Sequence, residues 1–222
     1  MVNATWMNRR QLCRVYAQNS ADLSDLRRRI RSFMFLRGIT VDRAAEDITR
    51  EYNLRQLEMT ADSSLGFLIE EARWLRMRFE QVKKVIMAEF KDDTTYNLIL
   101  SIPGFGEVTL AYLTSMIVDI DRFDSPSQFA AHFRIVPEQR ESADKSKKCE
   151  ITRRGDDTAR NMLTQQTFRH ITTDRDRLSN VSRMYDRIRA RGMPHKKALT
   201  ACANKIAHIM FSILKNREPY RV

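Results

Sequence analysis

The chain has 222 residues, and 42% of them are apolar, which is enough for one large or two small folded domains. Its 39 Lys and Arg outnumber 28 Asp and Glu, for a net charge of +11, so a polyanionic partner is favoured and nucleic acid is the commonest one, although a basic surface can also be merely solubilising. Three widely spaced cysteines without a Cys-x-x-Cys pair argue against a zinc site or disulfide framework. No signal peptide or apolar run of membrane length is evident, so we expect a cytoplasmic protein without a membrane partner.

Helical spacing dominates the whole chain, and only 6 glycines and 5 prolines interrupt it. Alternating apolar and polar runs, which are typical of strands, are nearly absent. The sequence therefore predicts an all-α protein. We expect a long helical hairpin or coiled coil, followed by a compact helical domain.

The first predicted helix runs from about residue 8 to residue 37 and ends at Gly38. The segment from about 63 to 90 carries apolar residues in alternating steps of three and four, typical of a heptad stripe. This stripe pairs either with the first helix as an antiparallel hairpin or with a second chain as a coiled coil. We favour a role in dimerisation, and an ordinary long bundle helix is the alternative. The stripe consists of Leu65, Leu68, Ala72, Leu75, Phe79, Val82 and Ile86.

A polar break at residues 91–95 is the best candidate for a domain boundary. We assign residues 1–92 to a helical linker or coiled-coil region and residues 93–222 to a nucleic-acid-binding domain. The second part has 22 Lys and Arg against 15 Asp and Glu, whereas the first has 17 against 13. The positive charge is therefore concentrated on the C-terminal side.

A short stretch at Gly104-Phe105-Gly106 separates two apolar segments of this second part. Two glycines so close together allow a sharp turn and a close approach to another group. The free amides at the start of the following helix form a natural anion site. The stretch is either a helix-hairpin-helix element that binds phosphate or a packed turn between helices, and its residues alone leave both open.

The basic residues of the C-terminal half lie next to predicted turns and helix starts, where they can reach a phosphate backbone. His195 follows Pro194 and is either a phosphate donor at a helix start or a structural histidine. Three aspartates between residues 119 and 124 lack the spacing of a calcium loop, so we predict no metal site in this chain. The alternative for the cations is a solvated face. The predicted phosphate-binding cations are Arg153, Arg154, Arg189, Arg191, Lys196 and Lys197.

Seven short motifs follow one another in an order that resembles a transposase C-terminal domain. The resemblance is to the insertion-sequence one-hundred-ten family, also called the Piv/MooV recombinases, and it covers roughly residues 96–222. The residues before it resemble that family's linker and coiled coil more loosely. The motifs are Ile102-Pro103-Gly104-Phe105-Gly106, Phe123-x-Ser125-Pro126, Val136-Pro137, Ser142-x-x-Lys145, Ile151-Thr152-Arg153-Arg154-Gly155-Asp156, the run from Arg189 to Ala198, and Pro219-Tyr220.

The resemblance implies a plan for the whole protein and a role for one serine. Family members have a RuvC-like domain with four acidic residues, then a coiled coil, then this domain, which supplies a serine nucleophile. That serine falls on Ser142, and it would need neighbouring cations to stabilise the phosphoryl charge. The cations near Ser142 that we expect to contact nucleic acid are Arg140, Lys145, Lys147 and Lys148, in addition to Arg153 and Arg154.

Two departures from the family qualify this role. Ala143 and Asp144 replace the glycines that follow the family's serine, and a carboxylate at Asp144 is unfavourable beside a phosphate. The first 60 residues contain no glycine-bounded strand carrying an aspartate, so the acidic domain is not expected in this chain. We therefore expect no cofactor in the chain itself, and a divalent metal only on a separate acidic domain.

These observations predict a DNA-binding protein that resembles the C-terminal part of a serine-dependent transposase. DNA is the expected partner. The resemblance implies three further partners: a structured guide RNA, a RuvC-like domain in trans and further copies of the chain. Two other functions remain open on the sequence: a non-catalytic nucleic-acid-binding remnant or regulator, and a helical oligomer scaffold.

Overall fold

The computed structural model describes residues 4–40, 47–135 and 157–221, and within these ranges it contains helices and no strand. The predicted all-α class is confirmed. No helix in the described ranges is both long and apolar enough to cross a membrane. The helices are α1 (Ala4–Arg37), α2 (Glu51–Glu58), α3 (Ser63–Phe90), α4 (Thr94–Leu100), α5 (Glu107–Ile117), a short 3-10 helix (Ile120–Arg122), α6 (Pro126–His132), α7 (Asp157–Thr173), α8 (Asn180–Ala190) and α9 (His195–Asn216).

The chain divides into two compact units. The hairpin unit comprises residues 7–88, and the C-terminal unit comprises residues 1–6 and 89–222.

In the hairpin unit, α1 and α3 pack against each other in opposite directions. The ring of Tyr16 stacks on Phe79, with the ring centroids 4.4 Å apart, whereas Arg37 near the end of α1 pairs with Asp62 just before α3. This unit's core contains Leu65, Ala72 and Leu75 of the heptad stripe together with residues of α1 and α2, and Leu68 and Phe79 of the stripe pack against it. The stripe is therefore the seam of an antiparallel hairpin within the chain, which was one of its two predicted uses.

A charged network around Asp47 also joins α1 to α3. The Asp47 carboxylate accepts hydrogen bonds from Arg27 Nε and Nη2 at 2.6 and 2.8 Å and from Arg76 Nη1 at 2.7 Å. It also accepts one from the Thr49 hydroxyl at 2.7 Å. Burial alone would raise the pKa of Asp47, but the hydrogen bonds from Arg27, Thr49 and Arg76 lower it well below its usual range. The network therefore fixes one carboxylate in its charged form between two helices.

In the C-terminal unit, α9 is the central helix and packs against α4, α6, α7 and α8. Small residues such as Ala203 and Ala207 on α9 are fully buried and let neighbouring helices approach closely. Cys202 on the same helix is also buried, and burial raises the pKa of its thiol to about 11. Every residue of α5 from Leu110 to Ile117 is buried as well.

Several helix ends follow the local signals in the sequence. The Ser125 hydroxyl caps α6 by accepting from the amide of Gln128, and Pro126 takes the first helical position, as predicted. Gly192 ends α8 with a φ of +82°, a conformation that favours glycine. Asp119 caps the 3-10 helix by accepting from the amide of Asp121.

Candidate nucleic-acid interface

The turn between α4 and α5 lies directly against α7. Gly104 has a φ of +83°, and a Cβ atom at this position would lie 3.0 Å from the Cα of His170. The amide of Gly106 donates a hydrogen bond of 2.6 Å to the Gln166 side chain, and Phe105 is buried. The predicted close approach of the two glycines is therefore to the backbone and side chains of α7.

This contact limits how the turn could bind phosphate. Because the Gly106 amide already bonds to Gln166, the free donors at the start of α5 are the amides of Glu107, Val108 and Thr109, which have no partner within the described ranges. The exposed Glu107 side chain lies in the same first turn, where a carboxylate favours the helix but repels a phosphate. Phosphate binding by this stretch stays a prediction.

His170 on α7 joins three separated parts of the C-terminal unit. Its Nδ1 atom lies 2.8 Å from the carbonyl oxygen of Pro103, and its Nε2 atom lies 2.8 Å from the Ser179 hydroxyl. Because the Pro103 carbonyl can only accept, Nδ1 carries a proton. The ring also contacts Tyr220 near the C-terminal end, with the ring centroids 6.0 Å apart. Sequence spacing gave no signal for this residue, since its partners are 9 to 67 positions away.

The connection between α8 and α9 forms a cationic surface, which we call the basic turn (residues 187–197). Arg189 donates a hydrogen bond of 2.6 Å to the carbonyl of Met193 and so braces the turn. Four of its cations are exposed and have no ion-pair partner within the described ranges: Arg187, Arg191, Lys196 and Lys197. The turn also encloses a cleft of about 320 Å³, bordered by Arg191 and Lys197 and by the apolar side chains of Ile188 and Met193.

The start of α9 adds main-chain donors to this surface. No side chain caps the helix, and Ala198 is the first residue whose amide makes an intrahelical bond, to the carbonyl of Pro194. The amides of His195, Lys196 and Lys197 are therefore open in the described part of the chain. The His195 ring is held by Tyr185, whose hydroxyl oxygen lies 2.7 Å from Nδ1.

The sequence around the basic turn contains no acidic residue over a long distance. From Arg187 to Arg217 there are eight Lys and Arg and no Asp or Glu. The acid that precedes this run, Asp186, is paired with Arg177 at 2.9 Å. This uninterrupted run is a signal that net charge alone does not show, because the average over the C-terminal half hides it.

Helix α7 contacts both the Gly104-Phe105-Gly106 turn and the residues of the basic turn. Phe168 of α7 contacts the His195 ring at the start of α9, whereas Gln166 and His170 contact the turn before α5. The structure thus brings the Gly104-Phe105-Gly106 stretch and the basic turn against neighbouring positions of α7.

The remaining predicted site residues lie outside the described residues. The segment that carries them is flanked by an ion pair of 2.6 Å between buried Arg134 and exposed Asp157. Within the described ranges, no group of three His, Cys, Asp or Glu side chains is arranged to hold a metal ion. The predicted residues outside the described ranges are Arg140, Ser142, Lys145, Lys147, Lys148, Arg153 and Arg154.

The fold and the basic turn define an all-α protein with a cationic face built around the start of one central helix. Residues 96–183 match the family model described as Transposase, IS116/IS110/IS902 family. Residues 96–183 of this chain are therefore similar to a transposase of the IS116/IS110/IS902 family.

Curated relatives agree with this assignment. The chain is 27% identical over 184 residues to the transposase for insertion sequence element IS1328 of Yersinia enterocolitica, covering 80% of this chain and 52% of the relative. It is 26% identical over 205 residues to the transposase for insertion sequence element IS1111A of Coxiella burnetii, covering 86% and 54%. A probable family 20 transposase of Pseudomonas aeruginosa is 25% identical over 154 residues, covering 69% and 45%. The chain spans about half the length of these relatives.

Proposed function

We propose that this protein binds DNA through the basic turn and the start of α9, as part of a transposition reaction. The observation that carries the proposal is the acid-free cationic run from Arg187 to Arg217, whose exposed cations at the basic turn lack ion-pair partners in the described ranges. Unpaired cations beside open helix amides are suited to backbone phosphates. The family match supports DNA as the polyanion, because the relatives are named transposases.

Adjacent lysine pairs on the two units provide a matched test. Lys196 and Lys197 belong to the basic turn, whereas Lys83 and Lys84 lie on α3 in the hairpin unit. We expect Lys196→Gln/Lys197→Gln to weaken duplex binding roughly tenfold at moderate salt and to reduce the slope of log affinity against log salt by about 1 to 2. Lys83→Gln/Lys84→Gln removes the same charge and should leave the affinity within about twofold of the parent protein.

The salt titration separates a specific surface from general positive charge. Equal losses in both double variants would show that net charge alone drives association. An affinity for duplex DNA that is independent of salt would contradict the proposal outright, because phosphate contacts release counterions.

For strand cleavage we propose Ser142 as the nucleophile, supported by its place within the matched family segment. The described residues do not fit a divalent metal, since no three metal-ligating side chains converge among them. We therefore assign the metal site to an acidic RuvC-like domain outside these residues, in keeping with relatives about twice as long.

A covalent adduct with DNA tests the proposed nucleophile. The chain is incubated with labelled duplex, with and without a separately expressed acidic domain, and analysed under denaturing conditions. We expect an adduct that requires the acidic domain and disappears in Ser142→Ala, while Ser146→Ala retains it. An adduct that survives Ser142→Ala, or its absence in all mixtures, would overturn the role of Ser142 and favour a non-catalytic DNA-binding function.

The cations of the basic turn also suit the phosphates of a structured RNA, which we propose as a second nucleic-acid partner. Competition between labelled duplex DNA and a folded RNA of equal length tests this proposal. RNA that fails to displace the duplex at equal phosphate concentration would contradict a shared surface.

We further propose that a second copy of the chain binds the outer face of α3. Phe67 and Trp74 on this face are 72% and 50% exposed, and Val85 continues the same face about three turns after Trp74. Glu70 and Lys84 flank the face and have no ion-pair partner within the described ranges. An antiparallel pair of α3 helices places Glu70 of one copy near Lys84 of the other, so the face is complementary to itself.

A further inference from the structure

We propose that Phe168, Tyr185 and His195 form a stacking platform for the bases of an unpaired nucleic-acid strand. The proposal rests on the proposed nucleic-acid binding and adds the state of the strand that this site prefers. We call these three residues the aromatic cluster.

The aromatic cluster is exposed and held in place. Phe168 is 43% exposed although it is a large apolar residue. Its ring centroid lies 5.6 Å from that of His195, with an interplanar angle of 82°, so one ring meets the edge of the other. Tyr185 also holds His195 through the 2.7 Å contact between its hydroxyl oxygen and Nδ1. An aromatic surface with little freedom loses little entropy when a base stacks on it.

The charges around the aromatic cluster specify the occupant. Arg169 follows Phe168 on α7, and Lys196 follows His195 on α9, and both cations are exposed. Neither the run 158–173 nor the run 187–217 contains an Asp or Glu. Asp186, which follows Tyr185, is paired with Arg177 at 2.9 Å. An exposed aromatic ring beside unpaired cations suits a ligand that has flat faces and negative charge. An unpaired strand has both, whereas the bases of a duplex are stacked inside and cannot reach the ring.

The cleft of the basic turn continues this surface along the chain. Pro194 borders the cleft and is directly followed by His195 of the aromatic cluster. The cleft has apolar walls at Ile188 and Met193 and cations at Arg191 and Lys197, and its 320 Å³ lies near the lower end of the ligand-pocket range of about 300–1,000 Å³. A sugar or base against the walls would place its phosphate at the cations. The two features together form a track for consecutive nucleotides.

Fluorescence anisotropy with four probes tests the platform: single-stranded DNA, single-stranded RNA, duplex DNA, and single-stranded DNA containing 2-aminopurine. We expect Phe168→Leu to weaken binding of an unpaired strand about tenfold and to leave duplex affinity within about twofold. Phe168→Trp retains a flat ring and should retain the affinity. Stacking should also quench 2-aminopurine, and Phe168→Leu should abolish the quenching. Leu178→Ala, which alters another exposed apolar residue of the C-terminal unit, is the control.

Each outcome of this experiment decides the proposal. The platform is supported if Phe168→Leu lowers the affinity for single-stranded DNA, for single-stranded RNA or for both. Which of the two is affected then identifies the kind of unpaired strand that binds. If Phe168→Leu and the parent protein bind every unpaired strand equally well, the platform is overturned. If duplex binding is intact in that case, the proposed DNA binding still holds. Failure to bind any nucleic acid at low salt overturns both. The platform is also overturned if an acidic protein binds saturably at Phe168 and no unpaired strand binds there.

Discussion

Gly104 and Gly106 are two positions apart, yet the structure gives them different tasks. Gly104 needs a positive φ, and a Cβ there would meet backbone atoms of Arg169 and His170 at 3.0 to 3.1 Å. We expect Gly104→Ala to destabilise the C-terminal unit by about 2 to 3 kcal/mol, because neither the strained φ nor the helix backbone can give way. Urea unfolding followed by circular dichroism measures the loss.

Gly106→Ala is the matched control for this prediction. A Cβ at Gly106 would meet the end of the Arg169 side chain, which can move away, and the φ of −82° is ordinary for alanine. We therefore expect a cost below about 1 kcal/mol, mainly from the poorer helix-capping residue. Equal destabilisation by the two substitutions would show that the approach of the turn to α7 is not what requires glycine.

Structural features of single residues were predictable from the sequence where they depend on adjacent residues. Features that depend on residues far away in the sequence were not predictable. The Ser125-Pro126 helix start and the Gly192 stop follow from local backbone chemistry. The partner of the glycine turn was not predictable, because Gln166 lies 60 positions after Gly106 and an interior glutamine has no distinctive spacing. Phe168 was missed for a related reason: exposure of one aromatic residue on a helix cannot be read from periodicity alone.

At the scale of elements, Asp47 holds α1 and α3 together through charge. Its two arginine partners come from the two helices, and its side chain is only 24% exposed. We expect Asp47→Asn to destabilise the hairpin unit by about 2 kcal/mol at pH 7, since both arginines lose a charged acceptor. The substitution Glu71→Gln breaks the exposed Arg29–Glu71 pair between the same helices and should cost no more than about 0.5 kcal/mol.

The pH dependence of this difference follows from the lowered pKa of Asp47. The folded pKa lies below the unfolded value of about 3.9, so the carboxylate contributes its full stability above that value and loses it as the pH falls toward the folded pKa. The gap between parent protein and Asp47→Asn should therefore narrow below about pH 4. Urea titrations monitored by the fluorescence of Trp74, which lies in the hairpin unit, measure the gap. A gap that is constant from pH 7 to pH 3 would contradict this assignment.

The heptad stripe shows what apolar periodicity can and cannot predict about a whole helix. It correctly predicted a long amphipathic α3, because steps of three and four residues place side chains on one face. It could not decide between α1 and a second chain as the partner, since both would bury the same residues. The structure shows α1 as the partner through the core that it shares with α3 and the stacking of Tyr16 on Phe79, contacts between residues too far apart in sequence for periodicity to reveal.

At the scale of the whole molecule, the acid-free cationic run and the exposed apolar face of α3 lie on different units. The acid-free run lies in the C-terminal unit, and the exposed apolar face of α3 lies in the hairpin unit. Composition predicted a basic nucleic-acid-binding protein, but it does not show where in the chain the positive charge lies. The order of short motifs pointed to a part of the chain whose residues 96–183 match the family model. The structure located open cations on the basic turn, which follows that match in the sequence.

The exposed face of α3 yields the last prediction, which concerns assembly. If two copies pair through this face, Trp74 becomes buried as the concentration rises, and its fluorescence should shift to shorter wavelength while sedimentation reports a dimer. Phe67→Ser should abolish both changes, because it removes the most exposed ring of the face. Met59→Ser removes an even more exposed apolar side chain outside α3 and should leave both unchanged.

Charge reversal then tests the antiparallel arrangement of the two copies. Glu70→Lys faces Lys84 of the other copy and should weaken the dimer, and so should Lys84→Glu facing Glu70. The double variant restores opposite charges across the two-fold axis and should recover dimerisation, which a parallel arrangement would not predict because equivalent residues then lie side by side. A double variant weaker than both single variants would contradict the antiparallel pair, and a protein that stays monomeric at every concentration would contradict pairing through α3 altogether.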